Sequence, residues 1–253
     1  MKNYINIKNV KIGEGLPKIC VPLIIQNDEE ILEKIEELKL VKLDLVELRI
    51  DYYEKVNCLN SVKNLLKILN ENFKNIPIIF TFRTKDEGGE KNIILDYYEK
   101  LNIEAIKTGY IDLIDLQFFI KKNIINNITL QANKYNVKII LSNHNFNFTP
   151  KKDELIKILC NMEKLKPHLL KIAVMPKTKK DILNLMYVAN EINVNYNIPI
   201  IAVSMGDLGF ITRVIGGMFG SCITFGVAKK SSAPGQIDAN KLYNLIDSLY
   251  NIK

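Results

Sequence analysis

The 253-residue sequence lacks several patterns, and each absence removes a class of protein. Its four cysteines, Cys20, Cys58, Cys160 and Cys222, form no CxxC or cysteine–histidine pair, so neither a disulfide framework nor a zinc site is expected. No apolar run approaches the roughly 20 residues that span a bilayer, and the first residues lack the apolar segment of a secretion signal. We therefore expect a cytoplasmic protein with reduced thiols, no metal and no membrane partner.

The sequence also lacks a dense cluster of charges of one sign. The formal net charge is +7, and the positive residues are scattered over helical stretches such as 150–166 and 176–180. They alternate with apolar residues and form no basic and aromatic stripe, which favours solvated helix faces over a nucleic-acid surface.

Histidine and arginine are rare, which makes each of them informative. The histidines are His144 and His168, and the arginines are Arg49, Arg83 and Arg213. Lysine carries the positive charge everywhere else. An arginine in such a sequence indicates a position that needs the planar, bidentate guanidinium group that lysine lacks.

Short apolar runs alternate with longer segments of helical period, and this alternation predicts the fold. Helices are expected at 29–40, 59–72, 90–107, 118–135, 151–165, 178–194, 207–219 and 236–250. The strands are expected at 19–25, 43–50, 77–83, 110–116, 138–144, 169–175, 199–205 and 222–228. Near-continuous apolar strands indicate a parallel sheet covered by helices, and eight such units favour an α/β fold, the (β/α)8 TIM barrel.

The rest of the chain fits one barrel domain over 1–253. The segment 3–13 alternates weakly and is expected to form a β-hairpin that closes the bottom of the barrel. The alternative is an open doubly wound sheet, but no GxGxxG motif follows the first strand.

The most unusual residue is Lys171, which interrupts the apolar run LLKIAVM. Burial of an ammonium group is costly and favours the neutral amine, a nucleophile that forms Schiff bases with carbonyl compounds. Its sequence neighbours supply no carboxylate, and Ala173 lies on the same side of the strand.

His144, at the end of the preceding strand, is suited to move protons near neutral pH, although such a histidine alone is more often structural. His168 precedes its strand and is expected to be structural.

Other distinctive residues also fall at the carboxyl ends of strands, where such barrels have their active sites. Each has a plainer explanation: an ion pair for Glu47 and Arg49, core packing for Met205 and Phe225, and a turn for the loop 232–236. Together they predict a cationic pocket for a small, anionic, polyhydroxylated carbonyl compound. Dehydration and aldol chemistry both remain open, although no obvious phosphate-binding loop favours a sugar-phosphate aldolase.

Seven motifs, in order, resemble those of type I 3-dehydroquinate dehydratase from about residue 10 to the carboxyl terminus. They are ELRID (47–51), TFRT with a glycine pair (81–89), SNHNF with TP (142–150), KIAVMP (171–176), SMG (204–206), TR (212–213) and SAPGQ (232–236). The resemblance implies a lyase of the shikimate pathway, and so of aromatic amino acid biosynthesis. Its reaction would be a syn elimination of water from 3-dehydroquinate to give 3-dehydroshikimate.

The resemblance also implies roles for individual residues. Lys171 would form the Schiff base, His144 would transfer protons as a general acid and base, and Glu87 would support the histidine. Arg213 would hold the substrate carboxylate, while the remaining substrate-binding residues would contact hydroxyls or line the pocket: Glu47, Arg49, Arg83, Met205, Phe225, Ser232, Ala233 and Gln236. No cofactor is expected, and the family is commonly homodimeric.

Two places depart from the family pattern: Asn145, and Gly206-Asp207, which follow Met205 where a serine–glycine pair is more usual. Asn145 stands where an aspartate usually follows the histidine, which predicts a modest shift in the titration of His144. Two alternatives to the lyase remain: a class I aldolase, and a barrel without catalysis that binds an acidic metabolite or nucleic acid.

Overall fold

The computed structural model describes residues 4–229 and 232–251, in which strands and helices alternate along the chain. The strands are β1 (Ile5–Ile7), β2 (Val10–Ile12), β3 (Lys18–Leu23), β4 (Leu45–Arg49), β5 (Ile78–Thr81), β6 (Leu113–Gln117), β7 (Lys138–Asn145), β8 (Leu169–Val174), β9 (Ile200–Ser204) and β10 (Ile223–Phe225). The helices are α1 (Ile31–Lys39), α2 (Leu59–Asn72), α3 (Leu95–Lys107), α4 (Lys122–Lys134), α5 (Lys152–Glu163), α6 (Lys179–Asn195), α7 (Gly206–Gly209), α8 (Ile211–Ile215) and α9 (Ala239–Tyr250).

Eight parallel strands form the barrel in the order β10-β3-β4-β5-β6-β7-β8-β9. A single bridge between Ile200 and Ser221 brings the two ends of this sheet together, so the barrel is nearly closed. The helices cover its outside because each is amphipathic: in α1, for example, Ile31, Ile35 and Leu38 are buried at helical spacing. The predicted (β/α)8 barrel is confirmed.

Alternation along the strands divides the barrel interior into an apolar lower part and a polar upper part. Near the start of the strands, Leu45, Leu113 and Leu169 belong to one buried apolar cluster. Two residues further along the same three strands stand Glu47, Asp115 and Lys171, all buried. The polar residues therefore lie at the carboxyl ends of strands whose other ends are sealed by aliphatic packing.

The predicted amino-terminal hairpin is confirmed as the antiparallel pair β1 and β2. Ile7 and Ile12 pack into the same apolar cluster as the first residues of the barrel strands. Lys8, in the hairpin turn, forms an ion pair of 2.9 Å with Asp112 and donates to the carbonyl of Ile76 at 3.0 Å. The hairpin thus closes the bottom of the barrel, opposite the polar residues.

Three predicted elements differ from the observed ones because tertiary contacts outweigh local pattern. Residues 90–94 precede α3 rather than belonging to it: the amide of Glu90 donates to Asp51 and the ammonium of Lys91 donates to the carbonyl of Tyr52. The helix predicted at 207–219 is divided into α7, α8 and a 3-10 turn at Gly216–Phe219. The last strand covers three residues instead of seven.

No helix within residues 4–229 and 232–251 has the length and apolar character needed to cross a bilayer.

Candidate active site

One pocket at the carboxyl ends of the strands brings together all twelve site residues predicted from the sequence. They are Glu47, Arg49, Arg83, Glu87, His144, Lys171, Met205, Arg213, Phe225, Ser232, Ala233 and Gln236. Gly88, Phe146, Ala173 and Val203 complete the lining. Lys171 and Ala173, two residues apart on strand β8, therefore both face the pocket.

Lys171 is buried, with 5% of its surface exposed, and its ammonium group has two carboxylate partners. Its Nζ lies 2.9 Å from Asp115 Oδ2 and 3.1 Å from Glu47 Oε1. It also lies 4.5 Å from the centre of the Phe225 ring. The absence of a carboxylate near Lys171 in sequence is therefore misleading, because strands β4 and β6 supply two of them.

Asp115 is the most heavily bonded of these carboxylates. It is fully buried and accepts from Arg83 Nη2 at 2.9 Å and from Ser142 Oγ at 2.5 Å, in addition to Lys171. Burial alone would raise the pKa of Asp115, but the positive charges of Arg83 and Lys171 outweigh burial and hold it below its usual range. Asp115 is consequently a fixed negative charge beneath the pocket.

Glu47 and Arg49 share a strand face but do not form the ion pair considered from the sequence. Glu47 bonds to Lys171 and accepts from Thr81 Oγ1 at 3.1 Å. The guanidinium of Arg49 makes a bidentate pair with Asp51, through Nε at 2.9 Å and Nη2 at 2.8 Å. Asp51 also accepts from the amide of Glu90, so it ties Arg49 to the loop that carries Glu87.

His144 ends strand β7 and is oriented by Glu87, which lies in the 3-10 turn Lys85–Glu87 after strand β5. Glu87 Oε2 lies 2.9 Å from His144 Nδ1 and accepts from the backbone amide of His144 at 3.1 Å. Gly88 ends that turn with a φ of +79°, and a Cβ there would lie 2.3 Å from the ring of Phe146. Only glycine both adopts this backbone conformation readily and leaves room for Phe146.

The surroundings of His144 favour the neutral imidazole. Burial, together with the positive charge of Arg83, lowers the pKa of His144 to about 4, although the hydrogen bond to Glu87 acts in the opposite direction. With Nδ1 directed at a carboxylate, the neutral ring carries its proton on Nδ1 and presents an unprotonated Nε2. The imidazole is therefore unprotonated near neutral pH, with Nε2 free of a proton.

Arg213 is the cation of the pocket that has no anionic partner among the described residues. It is 2% exposed, and its guanidinium donates to three backbone carbonyls: Gly235 at 2.9 Å, Pro234 at 3.0 Å and Phe225 at 3.4 Å. Burial lowers the pKa of Arg213 to about 10. A buried guanidinium that bonds only to carbonyls is suited to bind an anionic ligand.

The loop 232–236 covers this side of the pocket. The amide of Ser232 donates to Gln236 Oε1 at 2.9 Å, and the amide of Gly206 donates to the carbonyl of Pro234 at 3.2 Å. Gly235 has a φ of +74°, and a Cβ there would lie 2.3 Å from the carbonyl oxygen of Gly206. The SAPGQ motif therefore needs its glycine for close contact with the start of α7.

Sequence reasoning missed three buried residues that hold the site together: Asp51, Asp115 and Ser142. Asp115 has the same sequence signal as Lys171, a charged residue within an apolar strand, and that signal could have identified it.

His168 lies at the opposite end of strand β8 from the pocket, where its Nδ1 accepts from the amide of Ile139 at 3.1 Å. Asn145 Oδ1 accepts from the amides of Asn147 and Phe148, both at 3.0 Å, and its effect on His144 stays a prediction.

The fold and the pocket define a (β/α)8 barrel protein with a buried amine, a neutral histidine and a buried guanidinium at the carboxyl ends of its strands. No cluster of three histidine, cysteine, aspartate or glutamate side chains suited to a metal ion occurs in the described part of the chain.

Comparison with known proteins assigns the family. Residues 19–253 match the family model for type I 3-dehydroquinase. The chain is 47% identical to a 3-dehydroquinate dehydratase of Clostridium botulinum over 251 residues, covering 99% of each chain. The crystal structure of the type I enzyme from Clostridium difficile aligns with a TM-score of 0.95 at 45% identity over 99% of each chain. A structure from Geobacillus kaustophilus aligns with a TM-score of 0.97 at 31% identity over 100% of each chain. The chain therefore belongs to the type I 3-dehydroquinase family, enzymes that are lyases of the shikimate pathway.

The lowered pKa of His144 predicts a pH dependence of stability. Between about pH 6.5 and about pH 4 the unfolded chain binds a proton on His144 that the folded protein does not, so the free energy of unfolding should fall as the pH falls through this range. Urea denaturation of the wild type and a His144→Gln variant between these pH values measures the effect. The wild type should lose stability more steeply, and parallel curves would contradict the prediction.

Proposed function

We propose that this protein dehydrates 3-dehydroquinate to 3-dehydroshikimate through a Schiff base on Lys171, with His144 as the general acid and base. The observation that carries the proposal is the position of Lys171. Its amine is buried in the one pocket that also contains a neutral histidine and a guanidinium without a carboxylate partner in the described residues.

The first step needs a neutral amine, and the contacts of Lys171 suggest where its proton goes. Asp115 is held anionic by Arg83, whereas Glu47 bonds only to Thr81 and Lys171 among the described contacts. We infer that Glu47 accepts the proton. The free amine then attacks the substrate ketone, and loss of water gives an iminium that withdraws electrons from the adjacent carbon.

His144 then acts on that adjacent carbon. Its Nε2 removes a proton while Glu87 stabilises the imidazolium through Nδ1, 2.9 Å away. The same proton passes to the departing hydroxyl group, which leaves as water. Hydrolysis of the iminium releases the product and restores Lys171, so the cycle needs no external acid or base.

Substrate binding follows from the remaining donors. Arg213 would bind the substrate carboxylate, because its guanidinium bonds only to backbone carbonyls among the described residues. Glu47, Arg49, Ser232 and Gln236 would contact the hydroxyl groups, with Met205, Phe225 and Ala233 as apolar walls. Two donors of Arg83 bind Asp115 and Ser142, and we assign its main role to charge balance beneath the pocket.

A relative supports covalent chemistry in this family. The Clostridium difficile structure is described as containing covalently modified comenic acid. The homodimer implied by the family resemblance stays a prediction.

Replacing Lys171 tests the proposed function. The wild type should convert 3-dehydroquinate to 3-dehydroshikimate, followed by the product's ultraviolet absorbance, whereas Lys171→Met should have no measurable turnover because no iminium can form. A folded Lys171→Met protein with substantial activity would refute the role of the amine. Ser142→Ala is a matched control, since it changes the same buried network without removing the nucleophile.

Replacing His144 tests the proton transfer separately. His144→Ala should lower kcat by about 10²–10⁴-fold, the usual contribution of a general acid and base. Because Lys171 is intact, the substrate should still form its Schiff base, so the variant should accumulate covalent enzyme in rapid-quench samples. A near-wild-type kcat would exclude the proposed role.

A further inference from the structure

The pocket lining has more cations than carboxylates, as the sequence predicts, but two further buried carboxylates, Asp51 and Asp115, balance its charge. The site therefore attracts an anion only at short range. The site holds four cations, Arg49, Arg83, Lys171 and Arg213, and four carboxylates, Glu47, Asp51, Glu87 and Asp115. Most of them are paired with one another at about hydrogen-bond distance. A substrate anion outside the pocket therefore meets no net positive charge from these groups, because the fields of opposite charges cancel at a distance.

A separate group of lysines stands at the same end of the barrel. They occur where helices α4, α5 and α6 begin, and we call them the lysine rim: Lys121, Lys122, Lys151, Lys152, Lys177, Lys179 and Lys180. Three acids share these helix starts, Asp153, Glu154 and Asp181, which leaves an excess of four positive charges. Two of the acids accept backbone hydrogen bonds that cap their helices, Glu154 from Lys151 and Asp181 from Thr178.

The positions of the rim lysines are unfavourable for helix stability. The start of a helix carries partial positive charge, and a cation there costs a few tenths of a kcal/mol up to about 1 kcal/mol. No ion pair offsets this cost at any rim lysine in the described residues. Some lysines elsewhere do pair with acids, as Lys34 does with Glu37 and Lys63 with Glu104, while others in the described ranges, such as Lys74 and Lys134, do not. Lys152 has only a contact of 4.5 Å with the ring of Tyr187.

The rim lies beside the mouth of the pocket. A cleft next to the site shares Glu87, His144 and Phe146 with it. Its lining also includes Lys121 of the rim and Lys157, together with Asp86 and Glu154. On the other side of the barrel mouth, the segment after strand β3 is acidic, with Asp28, Glu29 and Glu30 in sequence. The rim therefore makes one side of the mouth more positive than the other.

We propose that the lysine rim attracts the anionic substrate and guides it into the pocket from the side of α4, α5 and α6. The proposal rests on the proposed function, because it takes 3-dehydroquinate, a carboxylate, as the substrate. Electrostatic attraction of this kind increases the rate of productive encounter and is weakened by salt. Attraction by the rim should raise kcat/KM. It should leave kcat unchanged, because no rim lysine lines the site pocket.

Two triple variants with the same change in charge test the proposal. The rim variant carries Lys122→Glu, Lys152→Glu and Lys179→Glu, at the first residues of α4, α5 and α6. The control carries Lys74→Glu, Lys134→Glu and Lys164→Glu, exposed residues near the carboxyl ends of α2, α4 and α5. A 13-residue helix such as α4 is about 20 Å long, so the control residues lie beyond the Debye length of about 10 Å at 0.1 M salt.

Steady-state kinetics with 3-dehydroquinate from about 10 mM to about 300 mM NaCl give the readout. The wild-type kcat/KM should fall about three- to tenfold over this range. The three substitutions change the excess charge at these helix starts from four positive to two negative. The kcat/KM of the rim variant should therefore be lower at low salt and should stay level or rise slightly as salt is added. Its kcat should stay within about twofold of wild type, and its Tm should be equal or higher, because glutamate suits a helix start. The control should keep the wild-type kcat/KM with an equal or lower Tm.

The outcomes separate the two proposals. Equal kcat/KM and equal salt dependence in the rim variant and the wild type would overturn guidance by the rim and leave the proposed function intact. An equal loss in both triple variants would assign the effect to net charge and also overturn it. No turnover by the wild type would overturn both the proposed function and this inference.

Discussion

The buried contact between Lys171, Asp115 and Glu47 is the constraint on which the rest of the site depends. Removing an ammonium and two carboxylates from water is costly, and the cost is offset only where geometry and further hydrogen bonds are good. Here Arg83 and Ser142 bond to Asp115, and Thr81 bonds to Glu47. The upper barrel interior is consequently a connected polar layer, and the aliphatic residues below it and the β1–β2 hairpin keep water from its underside.

This layer explains how one pocket holds groups with different protonation requirements. Arg83 keeps Asp115 anionic and, together with burial, keeps His144 neutral, while Glu87 fixes which nitrogen of the ring carries the proton. Arg213 lies apart from these carboxylates and bonds to backbone carbonyls instead. The result is a site in which a buried amine, a neutral imidazole and a guanidinium without an anionic partner in the described residues lie in one pocket.

Local pattern predicted most of the fold because each strand and helix has its own period and its own buried face. It failed where distant contacts decide the structure, as at residues 90–94, which Asp51 and the carbonyl of Tyr52 hold outside α3. The candidate site residues were recognisable as rare residue types at strand ends. Their pairing was not, because Lys171 is 124 residues from Glu47 and 56 from Asp115, and spacing along the chain carries no information about such contacts.

The central claim is that Lys171 forms the covalent intermediate, and trapping that intermediate tests it most directly. The protein is mixed with 3-dehydroquinate and sodium borohydride, its intact mass is measured, and the modified peptide is mapped. The account predicts a mass increase equal to one reduced adduct, located on Lys171 and absent without substrate. A protein that turns over substrate yet shows no adduct, or an adduct at another lysine, would contradict it.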